Sequence, residues 1–143
     1  MSVSKRKKVL LVDDDMRIHN LLQKFSNLHN ITLISINDGK SGLEFILKNN
    51  YDVILLDYMM PGYSGIDLLY DLAKKTDVSK LNIFMFTAIN MNPYAIDSLK
   101  KLGVKQVIKK PIKLQLLLEL IDVEDSNLIE WFKEIDVNLF FGE

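Results

Sequence analysis

Asp13, Asp14 and Asp15 stand in a row directly after the apolar run Val9-Leu10-Leu11-Val12. Asp57 directly follows Val53-Ile54-Leu55-Leu56, Thr87 and Ala88 follow Ile83-Phe84-Met85-Phe86, and Lys109, Lys110 and Pro111 follow Val107-Ile108. Carboxylates gathered at one point repel, and they raise one another's pKa unless a cation sits among them. A few hard oxygen donors suit Mg²⁺, which keeps several of its waters and favours phosphate partners. A lysine and a hydroxyl facing the same point would hold and neutralise a phosphoryl group. The aspartate nearest to both could then act as a nucleophile and form an aspartyl phosphate. Ala88 is small enough to let its main-chain N–H approach phosphoryl oxygens. Each piece alone is weak, because an aspartate after a strand more often caps a helix or makes a turn. The coincidence of all of them at the ends of apolar runs carries the signal.

That coincidence requires elements that bring the run ends together. Between the apolar runs, apolar residues recur at helical spacing: Ile18, Leu21, Leu22, Phe25 and Leu28; Leu43, Ile46 and Leu47; Ile66, Leu68, Leu69 and Leu72; Ile96, Leu99 and Leu102; and Leu114, Leu116, Leu117, Leu118 and Ile121. Ile31 to Ile36 is a further β-branched run that stops at the turn signal Asn37-Asp38-Gly39, and Gly103 reads as a helix stop. Strand and helix thus alternate through about five units. Strands that are continuously apolar are buried on both faces, so the fold class is α/β with a doubly wound parallel sheet and helices on both faces. The order 2-1-3-4-5 suits five units, and it makes strands 1 and 3 neighbours at a switch point where ligands bind beyond the strand ends.

Composition narrows the function. The chain has 143 residues, enough for one domain, with 48% hydrophobic and 26% charged residues. A net charge of −1, from 18 basic and 19 acidic residues, argues against a general grip on nucleic acid. There is no cysteine, so thiol chemistry and a disulfide scaffold are excluded. No apolar run reaches the roughly 18 residues of a membrane helix. The basic leader at 1–8 lacks the features of a secretory signal, so a cytoplasmic protein is expected.

Over residues 7–122 the chain resembles the receiver domains of two-component response regulators, in a stand-alone, chemotaxis-receiver-like form with a flavodoxin-like fold. The segments that carry the resemblance are KVLLVDDD at 8–15, DVILLDYMMPGYSG at 52–65, FTA at 86–88 and Lys110-Pro111. The resemblance implies that Asp13 and Asp14 are the acidic pair and that Asp14 binds Mg²⁺ directly. It implies that Asp57 is the phospho-acceptor and that the Met59 carbonyl is a further metal ligand. It also makes Thr87 the switch hydroxyl and Lys110 the lysine that pairs with the phosphoryl group. Lys109 is one place too early for that role, and Asp15 is expected to cap the first helix. The implied partners are a sensor histidine kinase or phosphotransfer protein and a downstream effector protein, with no direct contact to nucleic acid or membrane. The only chemistry implied is self-phosphorylation and slow self-dephosphorylation. Met59 and Ile89 resemble the positions that flank the path of the hydrolytic water. A metal-dependent phosphohydrolase of similar fold would carry an acid/base aspartate where Met59 stands, and a pseudo-receiver would lack the acceptor set.

Two features depart from the pattern. Val107 stands where many relatives carry an aromatic residue that turns inward on activation; Tyr94 could supply a ring from the helix after strand 4, the alternative being a plain surface tyrosine. Residues 124–143 continue past the receiver at 1–123. There Leu128, Ile129, Phe132, Ile135 and Leu139 recur at helical spacing, with Asp125 or Ser126 as cap and Trp131, Phe140 and Phe141 adding aromatic area. An amphipathic helix is expected, either packed on the receiver or forming a homodimer or partner surface.

Overall fold

The computed structural model describes residues 6–28, 30–121 and 140–141. The chain runs β1 (Lys7–Val12), α1 (Met16–Leu28), β2 (Ile31–Ile36), α2 (Gly39–Lys48), β3 (Val53–Asp57) and α3 (Gly65–Ala73). It continues through a 3-10 turn (Val78–Lys80), β4 (Ile83–Thr87), α4 (Pro93–Leu102), β5 (Gln106–Lys109), β6 (Ile112–Lys113), α5 (Leu114–Ile121) and β7 (Phe140–Phe141).

Five parallel strands form one sheet in the order β2-β1-β3-β4-β5. Alternate side chains of each strand point to opposite faces, and two cores result. On one face, Val9, Leu11, Val53, Leu55, Phe84 and Phe86 pack with Ile18 and Leu22 of α1 and with Leu117, Leu118 and Ile121 of α5. On the other, Leu10, Val12, Ile54, Leu56, Ile83 and Met85 pack with Ile46 of α2, with Leu68, Leu69 and Leu72 of α3, and with Leu99 of α4. Burial on both faces explains why β3 and β4 are buried throughout. The edge strand β2 is buried only at Ile31, with Thr32 exposed and the rest half-buried.

The helix ends have local causes. Asp38 accepts from the Ser41 amide at 2.8 Å and caps α2. Ser64 and Asp67 close a capping box at α3. Asn92 caps α4, Pro93 opens it, and Gly103 at φ +120° ends it in a left-handed conformation that a side chain would strain.

Two expectations change. Leu47 is 41% exposed, so the buried face of α2 is Ile46 with Leu43 beside it. Leu47 follows Ile46 by one residue, a rotation of about 100° that carries it off the packed stripe. Phe140 and Phe141, expected to extend a helical segment, instead pair antiparallel with Lys113 and Ile112 as β7 on β6. Aromatic residues suit a strand, and a main-chain ladder needs no helical periodicity. The rest of the expected C-terminal helix, and the boundary at 123/124, lie outside the described residues.

Candidate functional site

The sheet order places the ends of β1 and β3 side by side, with β4 and β5 next in line. Asp13 follows β1, and its amide donates to the Ile36 carbonyl at 3.1 Å. Asp57 is the last residue of β3 and pairs across the ladder with Phe86. Thr87 ends β4, and its carbonyl accepts from the Lys110 amide at 2.8 Å. Asp57 and Thr87 thus sit on rigid strands, while Asp13 and Lys110 stand one residue beyond theirs and are tied to a neighbouring strand by these main-chain hydrogen bonds.

Asp13, Asp57 and Thr87 are all buried, and Asp14 is exposed. Asp13, Asp14 and Asp57 each offer a carboxylate oxygen, and these atoms lie within 4.8 Å of one another. Lys110 Nζ reaches between the two buried acids, at 3.1 Å from Asp13 Oδ2 and 3.4 Å from Asp57 Oδ1. The second Asp13 oxygen accepts from the Asp15 amide at 2.8 Å, and Asp57 Oδ1 accepts from the Met59 amide at 3.4 Å. Thr87 Oγ1 accepts from the Ile89 amide at 3.1 Å, which leaves its own proton to donate.

Burial and the neighbouring Asp13 charge push the Asp57 carboxyl up to about 7, although Lys110 pulls the other way. Burial opposes the charge on Lys110, but Asp13 and Asp57 outweigh it and raise the ammonium above its ordinary value. One lysine therefore does not balance two buried carboxylates and an exposed third. A divalent cation among the three oxygens would supply the missing charge, and three hard carboxylate donors are what Mg²⁺ prefers. The donor set fits that ion.

The remaining candidates fall as follows. Lys109 is exposed and lies within β5, so Lys110 alone enters the cluster. Asp15 stays out of it, accepting from the Arg17 amide at 3.0 Å and from the Arg17 guanidinium, whose hydrogen bond holds its carboxyl below the usual range. It caps α1 as expected. Ala88 and the side chains of Met59 and Ile89 are exposed around the cluster. Val107 packs at the margin of the core on the α2–α3–α4 face, and Tyr94 is 84% exposed at the start of α4.

Two contributors escaped the sequence reading. A Cβ on Gly65 would lie 2.3 Å from the Asp57 carbonyl oxygen, so α3 can start against the end of β3 only with glycine there. The Ser-Gly pair at 64–65 was the available signal. His19 is buried on α1 and hydrogen-bonds through Nε2 to the Asp13 carbonyl. Its only signal was a polar residue three places before Leu22 on the apolar stripe.

Residues 9–122 match the family described as the response regulator receiver domain, and the chain belongs to that family. It is 32% identical over 126 residues to the chemotaxis protein CheY-3 of Vibrio cholerae, covering 84% of this chain and 92% of that protein. It is 30% identical over 110 residues to the uncharacterized transcriptional regulatory protein YkoG of Bacillus subtilis, covering 77% of this chain and 47% of that one. It thus spans about half of one relative and nearly all of the other. Among solved structures, it resembles the response regulator protein TrrA of Thermotoga maritima in complex with Mg²⁺-BeF. The TM-score is 0.65 at 25% identity, over 81% of this chain and 96% of that one. The chain is a phosphorylation-dependent signalling switch of the receiver class. Among the described residues, no helix is long and apolar enough to cross a membrane.

Proposed function

We propose that Asp57 is the phospho-acceptor, and that Asp13, Asp14, Asp57 and the Met59 carbonyl hold Mg²⁺. The observation that carries this reading is Lys110 Nζ standing between two buried carboxylates on adjacent strand ends. An Asp57 oxygen attacks phosphorus in line, and the bond from phosphorus to the donor nitrogen breaks with its electron pair leaving on the donor. The donor is a phosphohistidine of a sensor kinase or phosphotransfer protein. Bound Mg²⁺ would neutralise the equatorial oxygens of the transferring group. Lys110 exchanges its Asp57 contact for a phosphoryl oxygen, the Thr87 hydroxyl donates to another, and the Ala88 amide takes a third. Moving Lys110 and Thr87 shifts the ends of β5 and β4, and the altered surface around α4 and β5 is read by an effector protein. The protein acts in the cytoplasm, without nucleic acid or membrane, and catalyses nothing beyond its own phosphorylation and slow dephosphorylation.

The test is incubation with a small phosphodonor and Mg²⁺, read by intact mass. One added phosphoryl group is expected in wild type and none in Asp57→Asn. Equal labelling of the two would refute the assignment.

A further inference from the structure

We propose that His19 is a positioning residue for the metal-binding turn, holding the peptide between Asp13 and Asp14 so that both carboxylates face one cation. The inference rests on the reading of Asp13 and Asp14 as a Mg²⁺ site.

Only three residues, all aspartates, join β1 to α1. Their charges repel, so the turn needs anchors to hold one shape. Asp15 is anchored as the helix cap, its carbonyl accepting from the Ile18 amide at 3.2 Å. Asp13 is anchored through every polar group it has. Its amide donates to Ile36, and its two carboxylate oxygens accept from the Asp15 amide and from Lys110. Its carbonyl accepts from His19. A carbonyl can only accept, so Nε2 carries the hydrogen.

That carbonyl belongs to the planar peptide that also carries the Asp14 nitrogen. Fixing its direction therefore fixes where the Asp14 backbone starts. Asp14 itself is exposed, and its placement is inherited from its two anchored neighbours. His19 is only 4% exposed, and the helix beneath it is held by Ile18 and Leu22 in the core. The imidazole thus connects a packed helix to the turn through one directed bond. Residues that orient metal ligands in this way commonly change metal affinity by about ten-fold or more when removed.

The test uses the full chain, with Mg²⁺ affinity measured by calorimetry and Mg²⁺ dependence of phosphorylation by a small phosphodonor. His19→Phe keeps a ring and loses the donor. His19→Gln places an amide nitrogen near the Nε2 position, and the shorter His19→Asn does not reach it. Ile18→Val weakens the same helix through a small cavity without touching the turn.

Phe and Asn at position 19 are expected to weaken Mg²⁺ binding about ten-fold. The Mg²⁺ concentration for half-maximal phosphorylation should rise equally, while the rate at saturating Mg²⁺ stays within about two-fold of wild type. Gln should restore the affinity, and Ile18→Val should leave it unchanged. Should the Phe variant fail to fold, the Gln and Asn pair decides. Wild-type affinity in the Asn variant, Gln no better than Asn, or an equal loss in Ile18→Val would each overturn the inference. Absence of Mg²⁺ binding in wild type would instead overturn the metal site on which it rests.

Discussion

Removing the charge from Asp57 should stabilise the metal-free protein, although it destroys the proposed acceptor. In the folded state this carboxyl is pushed up to about 7, from the ordinary 3.8 of a free aspartate, chiefly because it is buried and next because Asp13 lies beside it. Between those two values the folded chain binds a proton that the unfolded chain has released. Stability from this group therefore falls as pH rises from about 4 to about 7, and the penalty is constant above that. A rise of that size corresponds to a ceiling of about 4 kcal/mol, at 1.36 kcal/mol for each tenfold change in acidity. Water entry and relaxation of Lys110 reduce this, so Asp57→Asn should gain roughly 1–3 kcal/mol at pH 8, or ~3–10 °C in Tm for a domain of this size. The gain should shrink as pH falls from about 7 toward about 4, and vanish only below about pH 3, where the carboxyl is protonated in both the folded and the unfolded chain. Urea denaturation of both proteins in EDTA at pH 4.5 and pH 8 measures it. Saturating Mg²⁺ should narrow the gap, because the cation compensates the wild-type carboxylate. A variant no more stable than wild type at pH 8 without metal would refute the claim that Asp57 is under-compensated.

Three further outcomes follow from the same cluster. Millimolar Mg²⁺ should raise the Tm of wild type by binding only the native site, and should fail to do so in Asp14→Ala, as differential scanning calorimetry would show. Lys110→Ala should abolish the phosphorylation-dependent spectral change, monitored by tyrosine fluorescence, while retaining most Mg²⁺ binding, and Lys109→Ala should behave as wild type because that side chain is exposed. Met59 and Ile89 are 54% and 44% exposed beside the site, and neither gives an attacking water a strong hydrogen bond. The double variant Met59→Asn, Ile89→Glu should therefore lose phosphoryl label about ten-fold faster or more, a typical scale for positioning a reacting water, and identical decay would show that these side chains do not gate hydrolysis.

Much of the architecture could be read from hydrophobic patterning, because each strand end is marked twice. The apolar run stops, and a polar residue with a ligand's chemistry begins. Asp57, Thr87 and Lys110 lie at such stops, and the parallel order brings them together. What escaped depends on contacts with no local pattern. Leu47 shows that periodicity assigns a stripe but not its width. Gly65 matters because of one approach to the Asp57 carbonyl, which only the packed backbone reveals. His19 reads as an interruption of an apolar face until its hydrogen bond to Asp13 is seen. The β6–β7 ladder joins residues far apart in the chain, and main-chain pairing leaves little trace in composition.

The Lys110–Asp13 contact spans 97 positions of the chain. During synthesis, every carboxylate of the cluster leaves the ribosome well before the lysine that balances two of them. A nascent chain ending after α4 has the strands to close β1 against β3, yet closing them buries Asp13 and Asp57 with no cation between. Burying unpaired charge is costly enough that a group changes protonation instead. At neutral pH the first four strands are thus discouraged from completing their native closure until β5 docks. The last strand of the parallel sheet, with Lys110 just beyond it, acts as a latch on assembly, which favours folding as one cooperative unit. A chain cut before Lys110 would need acid or a divalent ion to reach the same closure.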